Sequence, residues 1–281
     1  GLQRLSEAKP MEVRSDRTPQ PAREQEKVLF DRQALEIHAS GRISQIFGPG
    51  FADQDALRRR VRMPEPPLLL ADRVVRLEAQ PLTLGTGTVW TETDVAPGAW
   101  YLHDNRMPAG IMIEAGQADL LLVSWLGVDA LNRGERVYRL LGCELIYHGG
   151  LPVAGETLRY EIAVDGHAQQ GAVRLFFFHS TCSAAGIPRL TVRGGQAGFF
   201  TDEELAGSAG VLWDPSHLEQ REGARVDPPP VAVGRTRLSR WELEAFAAGR
   251  ADECFGPGYE GAAAHTRTPS LPGGRMLLLE E

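Results

Sequence analysis

Lysine is almost missing from this chain. Of its 30 basic residues only Lys9 and Lys27 are lysine, a bias that reads as codon usage rather than function. Basic charge is also outweighed: the net charge is -7, which excludes a general nucleic-acid surface. Cysteine is scarce. Cys143, Cys182 and Cys254 show no metal-ligand or redox spacing, and Cys143 and Cys182 lie in apolar runs that predict reduced core thiols. No apolar run reaches the roughly 20 uninterrupted residues of a membrane helix. The polar start lacks the apolar segment of a secretory leader, so a cytoplasmic, reducing setting is the expectation. The glycine turns GPG and GGQAG lack the Gly-Lys-Ser/Thr signature of a phosphate loop. No two histidines share the close spacing of a zinc site.

What is present is an ordinary globular composition, 42% hydrophobic and 24% charged over 281 residues. Residues 1–30 are rich in Arg, Glu, Pro and Gln and read as a flexible linker. A short helix is expected at 32–39, stopped by Gly41; residues 52–62 stay unassigned. Strands are expected at 68–77 (LLLADRVVRL) and 85–93 (GTGTVWTET). Four more follow at 137–148, 157–164, 172–182 and 189–200, each β-branched or aromatic and punctuated by Gly or Pro. Between the two groups, the stretch from Gly110 to Gly127 is apolar on nearly every side, the pattern of a buried helix. The order predicts an α+β fold, an antiparallel sheet wrapped around one long central helix.

That helix carries polar residues whose burial is costly. Glu114 and Gln117 share a face at i, i+3, while Asp119 is expected to point elsewhere. His103 lies just ahead. His148 reads as a turn residue, His167 as part of a hairpin connection in DGHAQQG, and His179 as a sheet residue.

The chain also repeats itself. GRISQIFGPGF at 41–51 and GRADECFGPGY at 249–259 match at an offset of 208 positions. Each follows a helical stretch, 32–39 and 241–248, and leads to an apolar triplet, 68–70 and 277–279. The expected organisation is a linker over 1–30, a complete domain over 31–205, a Pro-rich linker over 206–239, and the opening of a second, truncated copy over 240–281.

Several of these motifs resemble a known family. The strand LLLADRVV at 68–75, the Met107-Pro108 step, and Glu114 six positions after that proline are similar to the hot-dog-fold β-hydroxyacyl-acyl-carrier-protein dehydratases, including their dehydratase/isomerase branch. WYLHDNRMPAGIMIEAGQADLLLVSWLGVD, LNRGERVYRLLGCELIYHG, VDGHAQQGAVRLFFFH and GQAGFFTDEELAGSAGVLW resemble the first dehydratase domain of polyunsaturated fatty acid synthases, polyketide-synthase-like multienzymes with tandem dehydratase domains.

The resemblance implies dehydration of 3-hydroxyacyl thioesters to 2-enoyl thioesters, with enoyl isomerisation as a companion activity of that branch. It implies Glu114 as catalytic acid and His103 as base, with Met107, Pro108, Gly110 and Gln117 around the substrate. Gly110 either offers a free N–H to the thioester oxygen or eases close packing. Two spacings depart from the family. Five residues separate His103 from Pro108 where eight are usual, with Asp104 in place of an aromatic, and Gln117 follows Glu114 by three rather than four. The implied partners are an acyl carrier protein, whose phosphopantetheine holds the substrate, and a second hot-dog unit, in tandem or as a homodimer. No nucleic acid, membrane, metal or separate cofactor is implied. Two other readings stand beside it: a non-catalytic hot-dog unit that completes a neighbouring dehydratase, and a hot-dog acyl thioesterase. The Met107-Pro108 context and the Gly-Arg–Phe-Gly element favour a dehydratase over a thioesterase.

Overall fold

The computed structural model describes residues 27–170, 173–208, 237–264 and 270–280. The linkers expected at 1–30 and 206–239 fall almost wholly outside these residues. Among the described residues, six strands form one antiparallel sheet in the order β1-β2-β4-β5-β6-β3. They are β1 (Arg73–Ala79), β2 (Gly87–Asp94), β3 (Val137–Tyr147), β4 (Thr157–Gln170), β5 (Val173–Ala184) and β6 (Ile187–Phe200). The sheet curves around apolar helical segments, the hot-dog arrangement.

Two strand boundaries differ from the pattern, each for a local reason. β1 begins at Arg73 rather than 68, because the Leu68 and Leu69 N–H groups close a turn onto the Glu65 carbonyl and Pro66 and Pro67 have none to give. Leu69, Leu70 and Ala71 still enter the core, as irregular chain. β4 runs on to Gln170, so His167 pairs with Phe176 inside the ladder and is not a hairpin connection. The Asp165-Gly166 pair that resembles a turn is a β-bulge, where the register shifts between Val164 and Gly166. Asp165 is turned outward there and accepts from His179 Nδ1 at 2.8 Å.

The central helix is not one helix. It is three short segments, α3 (Ala109–Glu114), α4 (Asp119–Trp125) and α5 (Val128–Asn132), preceded in the chain by α1 (Arg32–Ser40) and α2 (Ser44–Phe47). Between α3 and α4 the backbone bonds tighten to i→i−3: Gly116 N–H to Ile113 O, Gln117 N–H to Glu114 O, Leu120 N–H to Gln117 O. Between α4 and α5, Gly127 takes φ 93 and a Cβ there would meet Leu82 Cα at 2.9 Å. The carbonyls of Trp125 and Leu126 are taken up by the N–H groups of Leu82 and Leu84.

Leu121, Leu122, Val123 and Leu126 of these segments pack with Val89, Tyr160, Ile162, Phe176 and Phe199 of the sheet in one core. The N-terminal segment seals it: Phe47 meets Trp125 edge-on at 5.1 Å, and Phe51 stacks on Trp125 at 5.6 Å. Cys182 is buried as expected, but Cys143 is exposed, because β3 is an edge strand with most of its residues open to solvent.

The helices α6 (Asp202–Ala206), α7 (Arg240–Ala247) and α8 (Ala251–Phe255) follow the sheet. The repeat is visible in local geometry at a constant offset of 208. Asp31 caps α1 and Ser239 caps α7. Arg32 pairs with Glu36 as Arg240 does with Glu244. Arg32 donates to the Ala71 carbonyl, and Arg240 to that of Leu279. Gly48 and Gly256 turn at φ 97 and 92, and the following aromatic pairs, Phe47–Phe51 and Phe255–Tyr259, lie 5.1 and 5.0 Å apart. The same offset corrects the second apolar triplet: Leu69 matches Leu277, both buried, so 276–278 answers 68–70 rather than 277–279.

Candidate active site

The helix break creates the site. In a 3-10 turn residues i and i+3 eclipse, so the short spacing from Glu114 to Gln117 brings their side chains together. The Gln117 amide donates to Glu114 Oε2. Both line a cavity of about 120 Å³ between the break and the inner face of β3–β6, with Tyr138, Leu140 and Cys143 on the β3 side and Tyr160 on its floor. Tyr160 donates its hydroxyl to the Met112 carbonyl at 2.7 Å, which ties β4 to α3.

Burial raises the Glu114 carboxyl above the ordinary carboxylate range. Asp119, expected to point elsewhere, lines the same cavity and is 5% exposed. Burial pushes its carboxyl up to about 7; hydrogen bonds from the Leu120 and Asp119 N–H groups oppose the rise, and the charge of Glu114 adds to it. Asp119 escaped the sequence pattern because a regular helix would turn it about 140° from Glu114. The same burial raises Tyr138. Tyr138 and Cys143 were likewise missed, since both lie on the edge strand and read only as alternation.

His103 sits elsewhere, in a two-residue hairpin. Its N–H and carbonyl exchange bonds of 3.0 and 2.9 Å with Arg106, while Asp104 and Asn105 take φ 48 and 59. Asp and Asn tolerate that left-handed pair where an aromatic would not, which accounts for Asp104 and for the short spacing to Pro108. The hairpin is anchored by Met107 N–H to Pro152 O at 2.8 Å and Ala154 N–H to Asn105 O at 3.0 Å. The Gly273 N–H donates to His103 Nδ1 at 3.4 Å, and Asp104 lies 3.7 Å from its Nε2.

Of the expected site residues, the structure brings Glu114 and Gln117 together in the cavity, and His103 is not among its lining. Met107 is fully buried in the core and lines no part of the cavity. Pro108 caps α3 with extended backbone. Gly110 is exposed, and a Cβ there would meet nothing within 4 Å, so close packing within this chain does not account for it. The first helical bond runs from Met112 N–H to the Pro108 carbonyl, which leaves the Gly110 N–H ahead of the α-helical ladder. His148, at the end of β3, bonds Thr191 Oγ1 at 2.7 Å. Among the described residues no cluster of His, Cys, Asp and Glu is placed to hold a metal ion, and no helix is long and apolar enough to cross a membrane.

No family model matches the chain. It is 38% identical over 226 residues to one of the polypeptides of the polyunsaturated fatty acid synthase of Thraustochytrium sp., a match covering 78% of this chain and 15% of that protein. The chain thus spans a small part of its relative. Among solved structures it is similar to the dehydratase heterocomplex ApeI:P from Xenorhabdus doucetiae, at 17% identity and TM-score 0.39, covering 52% of this chain and 93% of that one. It is also similar to a hypothetical thioesterase protein with coenzyme A from Streptococcus pneumoniae TIGR4, at 12% identity and TM-score 0.28, covering 45% and 85%. The sheet and helices give a hot-dog fold, and over 78% of its length the chain is similar to a part of a polyunsaturated fatty acid synthase polypeptide.

Proposed function

We propose that this chain is a dehydratase unit that removes water from 3-hydroxyacyl thioesters during polyunsaturated fatty acid synthesis. The substrate is carried on the phosphopantetheine arm of an acyl carrier protein. The observation that carries this reading is the Glu114 carboxyl, raised by burial and gripped by Gln117 at the mouth of an apolar cavity. A carboxyl so placed suits proton donation near neutral pH.

In the reaction, a base takes a C2 proton, the C2–H electrons form the C2=C3 bond, and the C3–O bond breaks. The hydroxyl leaves as water with the proton given by Glu114. Gln117 orients Glu114, and the N–H of Gly110 is the candidate donor to the thioester oxygen as charge builds there. His103 is the candidate base, acting across to the acid of a second hot-dog unit. The open edge of the sheet supports such a partner. Leu140, Leu141 and Tyr147 of β3 are about half exposed, an apolar edge of the kind folded proteins cover.

One observation favours the non-catalytic reading. A neutral imidazole that accepts the Gly273 N–H at Nδ1 carries its proton on Nε2 and has no lone pair left for a substrate. On that reading His103 is held as a strut and the unit completes its neighbour.

The test is mass spectrometry of a 3-hydroxyacyl carrier protein incubated with this chain, alone and joined to a second hot-dog unit. Loss of water, reduced about 100-fold or more in Glu114→Ala, is expected of the dehydratase. Release of free acid indicates a thioesterase. Dehydration by the joined protein that is indifferent to Glu114→Ala indicates the structural partner.

A further inference from the structure

The cavity holds a carboxyl that the proposed chemistry does not use. The groups facing Asp119 are Glu114 at the end of α3, Tyr138 and Cys143 on β3, and Tyr160 on β4; the β5 and β6 residues of the lining carry no ionisable group. All of these become negative when they lose a proton. No Lys, Arg or His is among the lining residues. Two carboxylates in one apolar cavity, with no cation to offset them, are costly to ionise together.

Glu114 closes α3 and Asp119 opens α4, on either side of the i→i−3 turn, and both line the cavity.

From this geometry we infer that Asp119 and Glu114 act as a one-proton pair, in which Asp119 is a positioning residue that holds the pair's remaining proton beside Glu114. Their surroundings divide the roles. Glu114 is half-buried and accepts the Gln117 amide, a contact that favours its charged form. Asp119 is the more deeply buried, and its rise to about 7, with Glu114 among the causes, fits the same division. As pH rises Glu114 ionises first, and its charge makes the Asp119 proton harder to lose. The pair therefore keeps one proton in the cavity, beside Glu114, to higher pH than Glu114 would keep its own. The catalytic consequence rests on the dehydratase reading above; the coupling does not.

The coupling can be measured without turnover, by carbon-13 NMR titration of the Asp and Glu carboxyls in the full chain. Glu114→Gln and Asp119→Asn identify the two resonances. In Glu114→Gln the Asp119 midpoint should fall by about half a pH unit or more. In Asp119→Asn, which keeps an oxygen for the Leu120 N–H, the one remaining carboxyl should lose its proton at lower pH than the wild-type pair loses its last. If one variant does not fold, the other decides alone. Unchanged midpoints in a folded variant overturn the pair. Where dehydration is observed, the alkaline limb of its pH profile should move to lower pH in Asp119→Asn, since the site then loses its last proton sooner. A wild-type chain with coupled carboxyls and no dehydration would sink the dehydratase reading and leave the pair standing. Dehydration with uncoupled carboxyls would do the reverse.

Discussion

His38 on α1 shows how much one buried side chain constrains this fold. It is wholly buried, its Nδ1 accepts the Met63 N–H at 3.2 Å, and its ring packs 5.6 Å from Phe47. Burial, helped by the Arg62 charge, lowers its pKa from 6.5 to about 3. The sign follows directly. The unfolded chain takes up a proton below pH 6.5 and the folded chain does not, so stability is full above 6.5 and drains away as pH falls toward 3. The loss approaches about 1.4 kcal/mol per pH unit. Urea unfolding between pH 7 and 5 should show it, and His38→Asn, which keeps an acceptor for Met63, should flatten that slope. Equal slopes in the two proteins would contradict the assignment. Gly127 makes a backbone demand instead. With φ 93 and Leu82 Cα at 2.9 Å from a would-be Cβ, Gly127→Ala should cost about 1–3 kcal/mol in the same assay.

At the scale of elements, the strands were legible because alternation and Gly/Pro punctuation depend only on local chain. Every expected strand exists, and the errors fall where a local signal has two uses. The Asp165-Gly166 pair serves a bulge as readily as a turn, and prolines 66 and 67 end a leucine run that otherwise reads as strand. The helix break was not legible, since apolar periodicity assumes a constant 3.6 residues per turn and the i→i−3 bonds at 116–120 leave that period. Asp119 was therefore assigned to the wrong side, while the i+3 spacing of Gln117, which departs from the family, makes sense only with the tighter turn. The short histidine loop has a similar explanation: Asp104 and Asn105 fit a positive-φ hairpin, and no period in the sequence announces one. The exposed edge β3 yields its own expectation. If a second hot-dog unit adds there, Leu141→Lys should shift sedimentation toward the smaller species, while the circular dichroism of the sheet is unchanged. A variant that sediments as the parent does would remove this edge from the interface.

For the molecule as a whole, the repeat and the site belong to one picture. Segments 208 positions apart reproduce the same cap, ion pair and glycine turn, and the second of them reaches back to touch His103 through Gly273. His103 is not among the residues that line the Glu114 cavity, which fits the proposed site assembled from two units. The account rests on Glu114 as the proton donor in a dehydration, so the most direct measurement follows a 3-hydroxyacyl group on its carrier protein by mass. The account predicts loss of water with the joined two-unit protein and near-complete failure after Glu114→Gln. Undiminished dehydration by Glu114→Gln, or release of free acid by the parent protein, would contradict it.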